Sequence, residues 1–193
     1  MKKIVAINET LKKIIERELS KYGGNLNHID VSAVTNMYRL FRHYESDTVD
    51  ISEWDVSNVE SMEEMFRLSN FNGDLSAWNV SKVENMRCMF YRTKFNQPIG
   101  NWNTKSLTNS IGMFAESEFN QDIHKWNTKK LKYVIKMFEN GKFNALIGAT
   151  GFHEDADLSD IQIAIDRTKM ILEHAKLLEG ASGVPLTVKR AAL

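Results

Sequence analysis

The chain predicts an α/β fold, a right-handed solenoid of about five 24-residue turns with an α-helix capping each end. Three columns of residues predict it. Trp54, Trp78, Trp102 and Trp126 recur every 24 residues, and a Met-Phe pair follows each of them at Met65-Phe66, Met89-Phe90, Met113-Phe114 and Met137-Phe138. A Phe-Asn pair comes next, at Phe71-Asn72, Phe95-Asn96, Phe119-Asn120 and Phe143-Asn144. A period between about 20 and 50 residues marks an architecture in which each repeat buries its apolar face only against its neighbours.

The elements follow in order. Over residues 1–25, Leu11, Ile14, Ile15, Leu19 and Tyr22 make one face of a capping helix that Gly23-Gly24 stops. The array occupies 26–152. Its first turn is a degenerate copy: Ile29 to Val34 matches Trp54 to Val59 at a distance of 25 residues, so one residue is inserted between Phe41 and Ile51. Within a full turn, Val59, Met62 and Phe66 stand at i, i+3 and i+7, the apolar stripe of a short helix, with Asp55 or Ser57 as its N-cap. Asn72 to Trp78 is too turn-rich for a helix and predicts a brief strand at Asp74-Leu75-Ser76. Such strands, stacked in parallel at about 4.8 Å, give an array roughly 25 Å long. The Trp and Met-Phe columns are expected in the core. The Asn column is expected to form a ladder that satisfies turn backbone groups.

The pattern stops where Thr150 stands in the place of a tryptophan. Over 153–180, Ile161, Ile165, Ile171, Leu172, Ala175 and Leu178 predict the second capping helix, opened by a Ser159/Gln162 capping box. Residues 181–193 carry no period and predict a flexible tail. Together these segments form one folded domain.

The segment Trp-Asp-Val-Ser-Asn-Val-Glu-Ser-Met-Glu-Glu-Met-Phe at 54–66, followed by Phe-Asn-Gly-Asp-Leu-Ser-Ala-Trp at 71–78, resembles the BspA-like leucine-rich-repeat family of bacteria. The likeness covers about 26–150. It implies a leucine-rich-repeat-like solenoid used for binding, often on a cell surface, with no catalytic residues to carry over. At its start the chain departs from the surface members. Ile4 to Ile7 gives four apolar residues before Asn8 and Glu9, against about 7–15 in a secretory core. With no lipobox cysteine and no transmembrane stretch, the expected location is cytoplasmic.

The composition points away from catalysis. His28, His43, His124, His153 and His174 show no ligand spacing, and 153–157 lacks the pattern of a calcium loop. Gly148 to Gly151 has no following lysine for a phosphate loop, and Cys88, the single cysteine, reads as a buried structural thiol in a reducing compartment. The sequence therefore predicts a non-enzymatic protein with no metal and no cofactor.

The net charge is zero, but residues 26–80 hold ten acidic and three basic side chains (−7), and residues 81–150 hold eleven basic and five acidic (+6). A bipolar surface of this kind orients a partner. The expected binding positions are Asp50, Ser52, Asp74, Ser76, Asp122 and His124 on the strand face, flanked by Lys125, Lys129, Lys130, Lys132 and Lys136. The expected function is a protein-interaction module with an acidic protein partner. Two alternatives stay open: an intracellular inhibitor or decoy, of the mobile-element kind, that blocks a larger nucleic-acid-processing complex, and a nucleic-acid binder acting through the fourth turn. Self-association also stays open.

Overall fold

The computed structural model describes residues 3–147, 152–159, 161, 162, 164–166, 168–171, 173 and 176. The α/β solenoid with terminal helices is not the architecture found. Regular structure consists of β1 (Ile4–Val5), α1 (Leu11–Tyr22) and β2 (Ile29–Asp30), with β1 and β2 paired in parallel as a two-stranded sheet. Among the described residues, helical turns recur only between 162 and 176. The repeats themselves are stacks of turns, neither helix nor strand.

The reason lies in where the backbone N–H groups go. Met62, Glu64, Phe66 and Leu68 donate to the carbonyls of Asn85, Arg87, Met89 and Tyr91 in the next repeat, at 2.9–3.0 Å. Met86, Cys88, Phe90 and Arg92 repeat the pattern against Asn109, Ile111, Met113 and Ala115. An α-helix would need those N–H groups for carbonyls four residues earlier. The residues between them close tight local turns instead, Met65 N–H to Met62, Arg67 to Glu64 and Ser69 to Phe66.

That geometry demands left-handed backbone twice per repeat. It falls at Glu64 and Leu68 (φ 54° and 60°), at Cys88 and Arg92, at Gly112 and Glu116, and at Lys136 and Asn140. A left-handed residue costs roughly 1–2 kcal/mol for a side-chain-bearing amino acid and ends any α-helix. Asp55 is accordingly no helix cap; its Oδ1 accepts the Ser57 N–H at 3.0 Å and closes a turn.

No strand forms at Asp74-Leu75-Ser76 either, because Asp74 Oδ1 accepts the Ser76 N–H at 2.8 Å and the Trp78 N–H returns to the Leu75 carbonyl. Parallel pairing occurs elsewhere, through single bridges linking Asn36, Ser61, Asn85, Asn109 and Tyr133. The first step is 25 residues and the rest are 24, which places the expected one-residue insertion.

The periodic columns form the core. Phe41, Phe66, Phe90, Phe114 and Phe138 stack at 5.5–5.7 Å with rings within 5° of parallel. Phe71, Phe95, Phe119 and Phe143 form a second pile at 6.1–6.3 Å, and the two piles touch at 3.9–4.1 Å within each repeat. The four tryptophans are 2–4% exposed. Each indole also bonds backward: Trp54 to the Leu26 carbonyl, Trp78 to Ile51, Trp102 to Leu75 and Trp126 to Ile99, at 2.9–3.2 Å.

The Asn ladder forms as expected, with the N–H groups of Asn96, Asn120 and Asn144 donating to Oδ1 of Asn72, Asn96 and Asn120. Helix α1 runs over the residues expected of it, from Thr10 to the left-handed Gly23, and sets Leu11 and Ile15 into the core. Near the other end Ile161, Ala164 and Ile165 are buried but Ile171 is 42% exposed. The capping box does not form: the Ser159 N–H goes to Asp157, and Gln162 donates forward to Asp166. Thr150, the 148–151 stretch and the 181–193 tail lie outside the described residues. Among those described, no helix is long and apolar enough to cross a membrane.

Candidate functional site

The six positions expected on one face do come together, at one corner of the stack, and for a structural reason. Each aspartate closes its own turn. Asp50 Oδ1 accepts the Ser52 N–H (3.1 Å) and hydroxyl (2.7 Å), Asp74 accepts from Ser76, and Asp122 accepts the His124 N–H at 2.9 Å. The bonds from Ser52 hold the Asp50 carboxyl below the usual range, against a smaller upward push from burial. His124 Nδ1 also lies 2.7 Å from Asp122.

The third repeat breaks this corner. Pro98 stands where an aspartate is due, and at Gly100 the chain passes so close to the next repeat that a Cβ would lie 2.4 Å from the Asp122 carbonyl oxygen. The result is an open depression of about 490 Å³ lined by Pro98, Gly100, Asn101, Gln121, Asp122, His124 and Lys125.

The five lysines divide. Lys125, Lys129 and Lys130 are exposed and make no ion pair among the described residues. Lys132 binds Asp155 at 2.9 Å and Lys136 pairs with Glu139 at 3.1 Å. The acidic lead-in at 153–157 therefore neutralises part of the basic patch, and Lys132 holds the Asp155 carboxyl below its ordinary range. Lys130 and Lys132 line a second depression of about 380 Å³ with Thr108, Tyr133 and His153. Lys132 Nζ lies 5.8 Å from the Tyr133 ring centre.

A third group had no signal in the sequence. Glu64 is 5% exposed and is surrounded by arginines from three repeats. Arg39 Nε lies 2.8 Å from its carboxylate, with Arg42 at 3.4 Å, Arg87 at 3.4 Å and Arg67 at 3.6 Å. Burial pushes the Glu64 carboxyl up, but Arg39, Arg67 and Arg42 together hold it below the ordinary value. Arg87 also reaches Glu63 at 3.1 Å. The arginines stand 3, 20 and 5 residues apart along the chain, so only the stacking of left-handed turns gathers them. Cys88, in the same repeat as Arg87, is only partly buried, not sealed in the core; its surroundings still push the thiol up.

Comparison with known proteins gives one match. A family described as Mycoplasma protein of unknown function, DUF285, matches residues 9–118 and again residues 69–177, an overlap that a periodic chain allows. No curated protein and no solved structure matches the chain.

Proposed function

The chain belongs to the family described as Mycoplasma protein of unknown function, DUF285, and from that membership we propose a non-catalytic protein-interaction module of the BspA-like repeat type. One observation supports this reading most: the two kinds of polar residue do different work. The periodic ones, the Asx-turn aspartates and the Asn ladder, hold repeat to repeat. The charges outside the period, Lys125, Lys129 and Lys130, are exposed and bridge to nothing within the described fold. They flank the depression lined by Asp122 and His124. Such a surface takes an acidic protein partner by charge complementarity and speeds its encounter.

The test is a pull-down from nuclease-treated native-host lysate, with wild type beside the Lys125→Glu/Lys129→Glu/Lys130→Glu variant. Lys132 is left intact because Asp155 depends on it. The expected outcome is one abundant protein held by wild type and lost by the variant. A partner retained equally by both would overturn this surface. Recovery that vanishes on nuclease treatment would favour nucleic acid.

A further inference from the structure

We propose that the first three repeats carry a second binding site, separate from the lysines, in which an arginine face takes a carboxylate-rich segment of a partner protein. Arg39, Arg42, Arg67 and Arg87 gather on Glu64 and Glu63. Four guanidiniums thus meet two carboxylates, and the cluster carries two surplus positive charges. Along the rest of this side the described pairs match one to one: Arg92 with Glu116, Lys136 with Glu139, Lys142 with Glu118. The surplus is local. It lies within the stretch of the chain that is acidic in total, so it does not follow from composition.

Two further observations point to a ligand. The Nε atoms of Arg42 and Arg67 are enclosed and meet no acceptor, whereas buried donors in native proteins are nearly always engaged. Arg39 and Arg87 each leave 42% of the side chain exposed, so the face is open to a visiting group. A guanidinium presents a planar fork that matches a carboxylate with two parallel bonds. Arg39 and Arg87 stand two repeats apart, roughly 10 Å at a spacing of about 4.8 Å per parallel step, which about three residues of extended chain can span.

The tyrosines of this face argue for carboxylates over bases. Arg67 and Arg92 lie against the Tyr91 ring at 5.0 and 5.3 Å, and Arg39 lies over Tyr38 at 4.6 Å. The rings that would serve as stacking platforms for a single strand are already occupied by guanidiniums.

Fluorescence anisotropy of a labelled oligoglutamate peptide, titrated with the full chain at low ionic strength, tests the site. Arg39→Gln/Arg87→Gln should weaken binding by about tenfold or more, and Lys129→Gln/Lys130→Gln by less than about twofold. Thermal melting checks the fold of each variant. Should the glutamine pair melt early, Arg39→Lys/Arg87→Lys keeps the charge and removes the fork, and a loss of about threefold or more is still expected. Unchanged peptide binding in both arginine variants would overturn the site, as would tighter binding of a labelled oligouridylate. Weakening in the lysine variant alone would overturn it too, while leaving the fourth-turn reading in place.

Discussion

Trp102 shows how one residue serves two purposes. Its ring is 3% exposed and its indole N–H donates to the Leu75 carbonyl at 2.9 Å. Replacement by alanine should cost about 3–5 kcal/mol. Trp102→Phe keeps most of the apolar bulk and leaves the buried carbonyl without its donor, for about 1–2 kcal/mol. Urea denaturation of both variants separates packing from hydrogen bonding; a phenylalanine variant as stable as wild type would show that the bond contributes nothing. The burial of this column was legible in the sequence, because spacing reports which side chains share an environment. Its hydrogen bond was not, since the acceptor is a main-chain oxygen 27 residues back. The left-handed residues were hidden for a related reason. Glu64, Leu68 and Cys88 carry side chains that normally avoid positive φ, and only Gly112, in the same column as Glu64 and Cys88, gives any hint.

At the level of the repeat, the apolar stripe Val59, Met62 and Phe66 is buried as an amphipathic helix would bury it, yet the helix does not form. Side-chain periodicity fixes which atoms face inward and leaves the choice of hydrogen-bond partner open. Here the neighbouring repeat wins the N–H groups, because an identical row of carbonyls lies alongside. Glu64 supports that arrangement by tying Arg39, Arg67 and Arg87 of three repeats together. Glu64→Gln should therefore destabilise the fold at neutral pH by about 1–3 kcal/mol, the range for buried groups deprived of a partner. Its carboxyl is held below the ordinary value in the folded chain. The ionised form thus stabilises the fold fully above the unfolded-state value near 4.3, and that contribution is lost as pH falls through the lower folded value. Urea midpoints of wild type and Glu64→Gln should converge as pH drops from about 5 to 3. A gap that stays constant would show that the charge itself does not matter. The arginine cluster could not be read from the chain, because its members share no column; the candidate aspartates could, because theirs is periodic.

For the molecule as a whole, contacts run almost entirely between adjacent repeats, each of which meets the next through the same set of bonds. Removing residues 79–102 takes out one complete 24-residue period and leaves every remaining donor opposite an equivalent acceptor. That deletion should fold, with a lower melting temperature by circular dichroism. Removing 12 residues, 79–90, brings the Phe column against the wrong neighbours and should not yield a cooperative transition. If both deletions melt alike, register is not what holds the stack together.

The tryptophans make the stack optically degenerate. All four indoles have nearly the same exposure and the same carbonyl partner in the preceding repeat, so they should emit as one narrow, blue-shifted population. Wild-type fluorescence then reads as a tally, each opened repeat moving about a quarter of the intensity to the red. A chain in which phenylalanine replaces three of the four indoles becomes a lamp placed at a single chosen height.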